Sequence, residues 1–280
     1  MLQFIGVVVI PLLAANTCRT NQSYNSAYAP WGLAVLLSCY PVLLYYTLDI
    51  WREVFMLLCF LLGVFVVKKF IQKRNGISRA ILSLLIFMLI LLMYSLRPYL
   101  GFSFAMAFFG YGLIKINSKY LIVLIVFYFL LLEALFAVGL LDRLLLYNEM
   151  FEGMEGGTNL NVGFDNGLTL GFLRSFSQQM LGFFAGGGKA ALLFIMETIP
   201  FLLAVLYITR NRKYSSSLVD FLVIFFIVYT SIFVIANANF GTGVRLRLFS
   251  YVSIYMSACI ICQNKLFSLR FNKDAQSSSL

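Results

Sequence analysis

Apolar runs follow one another along nearly the whole chain, the clearest being residues 80–96, 120–141 and 218–236, and this succession limits the fold more than any motif does. Soluble domains are about 45–50% apolar and about 25% charged. Here 61% of the 280 residues are hydrophobic and 11% are charged. The surplus is too large to fill one core, so it faces lipid. The fold class expected is an all-α polytopic membrane protein. It forms a single integral membrane domain over residues 1–280, without an internal repeat or a boundary to a soluble domain.

About nine transmembrane helices are expected, each near the ~20 residues that cross ~30 Å of hydrocarbon. Residues 1–15 read as a short first span rather than a cleaved signal, because no basic residue precedes Arg19. The Tyr- and Asn-rich 16–30 reads as a loop. Residues 31–48, 54–67, 80–96, 100–113 and 120–141 follow as spans, and 190–209, 218–236 and 250–262 complete the set. The long outer loop, 142–189, carries Glu149, Glu152, Glu155 and Asp165. Within it, residues 168–184 interleave Leu170, Leu173, Phe176 and Met180 with Arg174, Ser175, Gln178 and Gln179. That helical period with a polar face predicts an interfacial helix lying on the membrane. The basic, Ser-rich tail, 264–280, is expected on the cytoplasmic side and partly disordered.

The charge balance, 21 Lys+Arg against 11 Asp+Glu, would suggest nucleic acid in a soluble protein. In a membrane protein it reports topology first, through basic cytoplasmic loops, and contact with anionic lipid second. No basic stripe lies outside the apolar segments, so no nucleic-acid partner is expected. Lys68, Lys69, Lys73, Arg74 and Arg79 crowd one loop and fix it as cytoplasmic; Lys115 and Lys119, then Arg210, Arg212 and Lys213, mark the same side. Histidine is absent, which excludes a Ser-His triad, a His base and His-ligated zinc. The five cysteines lie mostly in apolar runs and read as small buried hydrophobes. Cys259 and Cys262 have C-x-x-C spacing without a second pair, and neither a metal nor a cofactor is expected.

Sorting basic residues by side separates them by type. The outer side holds Arg52, Arg97, Arg143, Arg174, Arg245 and Arg247, with Lys189 its one lysine. A guanidinium matches phosphate or carboxylate with a rigid donor fork, which an ammonium does not. Arg245 and Arg247 stand in the turn 237–249 between two apolar runs, where a charge needs a partner. That partner is either a structural carboxylate or lipid headgroup, or the anionic group of a substrate. If the turn is extended, residues two apart point the same way, and both arginines grip one diphosphate. Arg97, before Pro98 at a helix start, is held close to the membrane plane, where a lone arginine reads as snorkelling to the interface. Gly186-Gly-Gly-Lys189 lacks the Walker spacing and reads as a flexible joint. Glu133 and Glu197 lie inside predicted spans. Glu197 is the more interesting carboxylate, either a base or the partner of an outer arginine.

Three stretches, Ser95-Leu-Arg-Pro-Tyr99, Met196-Glu-Thr-Ile-Pro200 and Asn239-Phe-Gly-Thr-Gly-Val-Arg-Leu-Arg247, carry a resemblance. In them the chain resembles bacterial inner-membrane O-antigen and capsular polysaccharide polymerases, over roughly its C-terminal two thirds. The resemblance implies a metal-independent glycosyltransferase that joins polyprenyl-diphosphate-linked oligosaccharides on the periplasmic face, with membrane lipids and chain-length regulator or flippase proteins as partners. It further implies that Arg245 and Arg247 bind the diphosphate, that Arg97 assists, with Arg174 and Lys189 secondary, and that Glu197 is the possible base. The chain is shorter than such polymerases usually are. A transporter or flippase of lipid-linked sugars, and a non-catalytic membrane partner, remain open as alternatives.

Overall fold

The computed structural model describes residues 2–19, 28–49, 51–73, 75–112, 121–142, 144–146, 164, 168–182, 194–237 and 239–277. Glu149, Glu152, Glu155, Asp165, Arg143 and Lys189 lie outside the described residues. Eleven longer helices follow in order: α1 (Ile10–Cys18), α2 (Tyr28–Ser38), α3 (Pro41–Asp49), α4 (Trp51–Gln72), α5 (Gly76–Leu96), α6 (Pro98–Gly110), α7 (Leu121–Ala137), α8 (Leu168–Gln179), α9 (Ile199–Arg210), α10 (Ser217–Ala236) and α11 (Phe240–Ser277). π-helical turns precede α1 (Ile5–Val9) and α9 (Phe194–Thr198), and a 3₁₀ turn, Arg212–Tyr214, links α9 to α10. There is no β-strand among the described residues.

Four of these helices contain segments long and apolar enough to cross a membrane: Arg52–Gln72, Gly76–Leu96, Ser217–Ala236 and Gly241–Arg270. Shorter apolar helices run over Ile5–Cys18, Tyr28–Ser38, Pro98–Gly110 and Val126–Ala137. The chain is thus a helical membrane protein, but nine long spans are not found among the described residues. Prolines account for part of the difference. The residue before a proline avoids helical geometry, and Tyr40 and Arg97 each stand there. The run expected as one span, 31–48, is split into α2 and α3 at Pro41. Pro98 opens α6, whose 13 residues are short for a crossing.

The core is organised around α11. Within its best apolar window 83% of residues are buried, against 11% for α5, so α11 is central and α5 peripheral. It packs along α10, α10 packs along α6, and α9, α2 and α1 close the other side. Small hydroxyl residues let α10 and α11 approach closely, with Thr230 Oγ1 and Ser250 Oγ 2.8 Å apart. Rings fill the interior on the α6 side, where Phe60, Phe104, Phe225 and Phe249 contact one another in edge and tilted pairs.

Three expectations change at this level. The tail expected to be partly disordered is helical to Ser277, as a continuation of α11. The expected turn 237–249 is mostly helix, since α11 starts at Phe240. The third concerns α8, which is helical as expected but does not keep its polar residues on the outside: Arg174 is exposed, and Leu168 and Phe172 are buried. Ser175, Gln178 and Gln179 are buried, whereas Leu170 and Leu173 are exposed. Ser175 and Gln179 turn inward because the interruption between α10 and α11 leaves backbone groups that need partners: Gln179 Nε2 donates to Asn237 O at 2.7 Å, and Ser175 Oγ donates to Val234 O at 2.7 Å.

Glu133 has a structural task here. Its Oε1 accepts the Thr169 N–H at 2.9 Å and the Thr169 hydroxyl, so a carboxylate of α7 caps the first turn of α8. Replacing Glu133 with Ala is expected to loosen α8 by about 1 kcal/mol, the usual worth of a cap. Hydrogen exchange reads this as faster exchange over residues 168–173 with the amides of α10 unchanged; uniform protection would show that the cap holds nothing.

Candidate functional site

The candidate site forms where the central helix meets the π-helical turn before α9. Pro200 has no N–H to return to the Met196 carbonyl, so regular α-helix is interrupted there, and the chain takes the wider turn Phe194–Thr198. This turn carries Glu197, which is fully buried. On α11, Arg247, Tyr251 and Tyr255 recur every four residues and so share one face. That face is turned toward Glu197.

Arg247 Nη2 donates to Glu197 Oε2 at 2.7 Å. The same oxygen accepts the Tyr40 hydroxyl at 3.2 Å, and Oε1 accepts the Val42 N–H at 3.1 Å from the start of α3. Tyr255 OH donates to the Glu197 carbonyl at 3.0 Å. Tyr251 OH donates to the Met180 carbonyl at the end of α8, and its ring lies 5.5 Å from the Arg247 guanidinium carbon and stacks on Phe201. Arg247 is 2% exposed, so the pair is dry. Its Nε–H is buried without a hydrogen-bond partner. Beside the cluster opens a recess of about 190 Å³, lined by apolar side chains that include Val35, Leu36 and Met196 and bounded by Tyr40 and Tyr255.

The arrangement departs from the expected two-arginine grip. Residues two apart in a helix point about 200° apart. Arg247 therefore enters the core while Arg245 leaves from the opposite face, half-buried. The two do not converge on one ligand. Arg97 is elsewhere: its Nη2 donates to Glu53 Oε1 at 3.3 Å, and its guanidinium lies 5.4 Å from the Tyr99 ring. Arg174 is exposed on α8. Of the candidate residues that are described, the structure brings together Glu197 and Arg247 alone.

The sequence reading missed the tyrosines. Two of them carried a usable signal, because Arg247, Tyr251 and Tyr255 at intervals of four fit a helix and not the extended turn assumed there. Tyr40 had only its position before Pro41. Among the described residues no three Cys, Asp or Glu side chains converge as a metal site.

Chemically, the cluster offers a carboxylate, a guanidinium whose Nε–H is unsatisfied and three phenols, in a space nearly closed to water. Comparison with protein-family models, with curated proteins and with solved structures found no match. Fold and site together define a class, the helical membrane proteins with an ion pair buried in the bundle.

Proposed function

We propose that this chain serves surface-polysaccharide assembly in the bacterial inner membrane, as an O-antigen or capsule polymerase that joins polyprenyl-diphosphate-linked repeat units on the periplasmic face. The observation that carries the reading is the buried Glu197–Arg247 pair, with its spare Nε–H, beside an apolar recess. Ionisable groups inside a membrane protein mark substrate or ion pathways. In this reading Arg247 takes the charge of the departing diphosphate and Glu197, released from the pair, accepts the proton of the attacking hydroxyl. The three motifs that resemble such polymerases support it. The basic ends of α4 and α9 support a cytoplasmic C-terminus by the positive-inside rule. The further spans needed for the full count of nine belong to the same proposal.

A second reading rests on a different observation. Both Glu197 oxygens are already engaged, and the pair ties the α2–α3 corner, the turn before α9 and α11 together. A structural clasp of this kind suits a non-catalytic partner of the polysaccharide machinery, or a flippase.

The test is the length distribution of surface polysaccharide on a gel, in cells lacking the chain and complemented with Glu197→Gln or Arg247→Lys, with membrane protein levels checked by immunoblot. The polymerase reading expects collapse of the ladder to single displayed units in whichever variant keeps a normal protein level. A normal ladder at normal protein levels in both variants overturns it. Loss of all surface glycan, with lipid-linked units held inside the cell, moves the assignment to the flippase.

A further inference from the structure

The corner where α9, the 3₁₀ turn Arg212–Tyr214 and α11 meet carries a feature independent of the buried pair. Lys265 Nζ donates to Asn211 Oδ1 at 2.9 Å, and Asn264 Nδ2 donates to the Tyr214 carbonyl at 2.9 Å. Asn211 in turn donates to the Tyr207 carbonyl at 2.9 Å. These bonds pin the turn onto the central helix and hold the Lys265 ammonium beside it. Arg210 and Lys213 are exposed there, Lys265 is half-buried, and none of the three makes an ion pair among the described residues.

The surface below the cations is apolar. Leu203 and Leu206 precede Arg210 by seven and four residues, hence lie on its side of α9, and they are 60% and 44% exposed. Cations on both sides of a pinned turn, at the end of an apolar strip, match an amphiphile with an anionic head. A free anion accounts for the cations but not for the leucines.

We propose that this corner is a binding site for an anionic phospholipid, with the phosphodiester held among Arg210, Lys213 and Lys265 and an acyl chain lying along Leu203 and Leu206. Basic pockets between membrane helices recognise anionic headgroups in this way. Each basic residue near such a headgroup contributes about a fivefold gain in affinity, so removing two lowers it about 25-fold. The attraction weakens as salt screens it.

The test uses the full chain in detergent, titrated with phosphatidylglycerol and read by native mass spectrometry as lipid retained per protein. The expected result is retention of phosphatidylglycerol over phosphatidylcholine, a fall of about 25-fold in affinity in the Arg210→Ala, Lys213→Ala double variant, and no such fall in Lys69→Ala, Lys73→Ala. Thermal melting of the wild type without lipid and of the double variant without lipid should coincide, since the bonds that pin the corner remain. Equal retention of both lipids overturns the proposal. Equal loss in both double variants overturns it as well, because the attraction would then belong to the whole basic surface. Glycerol phosphate displacing the lipid at matched concentration would assign the corner to a soluble anion instead.

Discussion

Glu197→Ala lowers the stability of the folded chain by about 3–5 kcal/mol, the cost of leaving a buried charge without its partner. The magnitude follows from what remains after the change. Arg247 is 2% exposed and its guanidinium would keep only the face of Tyr251, while the Tyr40 hydroxyl and the Val42 N–H lose their acceptor in the same dry space. Arg247→Met, which strands the carboxylate, should cost a similar amount. The double variant, Glu197→Leu with Arg247→Met, should be markedly more stable than the sum of the two losses predicts, because a buried pair replaced by apolar side chains is often close to neutral. Thermal unfolding in detergent measures all three. A single Glu197→Ala variant that melts with the wild type would show that water reaches the pair, and strictly additive losses would show that the two residues do not act on each other.

How much of this was legible in the sequence differs from element to element. Membrane character was legible because it depends on composition along a run, and residues 80–96 and 218–236 match α5 and α10 closely. Glu197 was legible as a candidate since a carboxylate in an apolar segment is costly wherever its partner stands. The partner was not, because helix and extended backbone give opposite answers for Arg245 and Arg247, and the sequence left that choice open. Gly243 sits in the helix close against α8, where a Cβ would crowd the Gln179 side chain at 3.0 Å from its Oε1. The direction of α8 was equally hidden. Its pattern of polar and apolar residues is the same whichever face is wet, and only the interrupted backbone between α10 and α11 decides that the glutamines turn inward.

Gly101→Val should separate α6 from α5 and cost about 3 kcal/mol, the upper end of what overpacking usually costs, since the obstacle is backbone. Three residues after Pro98, α6 lies directly against the last turn of α5. A Cβ built on Gly101 would stand 2.5 Å from the Tyr94 nitrogen and 2.6 Å from its Cα. No side-chain rotation relieves such contacts, so α6 must move as a body. Phe104 moves with it. That ring is fully buried and packs against Phe60, Phe221 and Phe225. The Arg97–Glu53 pair at the junction is carried along by the same displacement. Gly32 in α2 is the control, because a Cβ there meets nothing within 4 Å. Gly32→Ala should leave stability unchanged or raise it by up to about 1 kcal/mol, the helix propensity that alanine gains over glycine. Melting curves of the two variants in the same detergent give the comparison. If Gly101→Val melts with Gly32→Ala, the α5–α6 hairpin is not as close as the structure has it, and the junction at Arg97 must be wider.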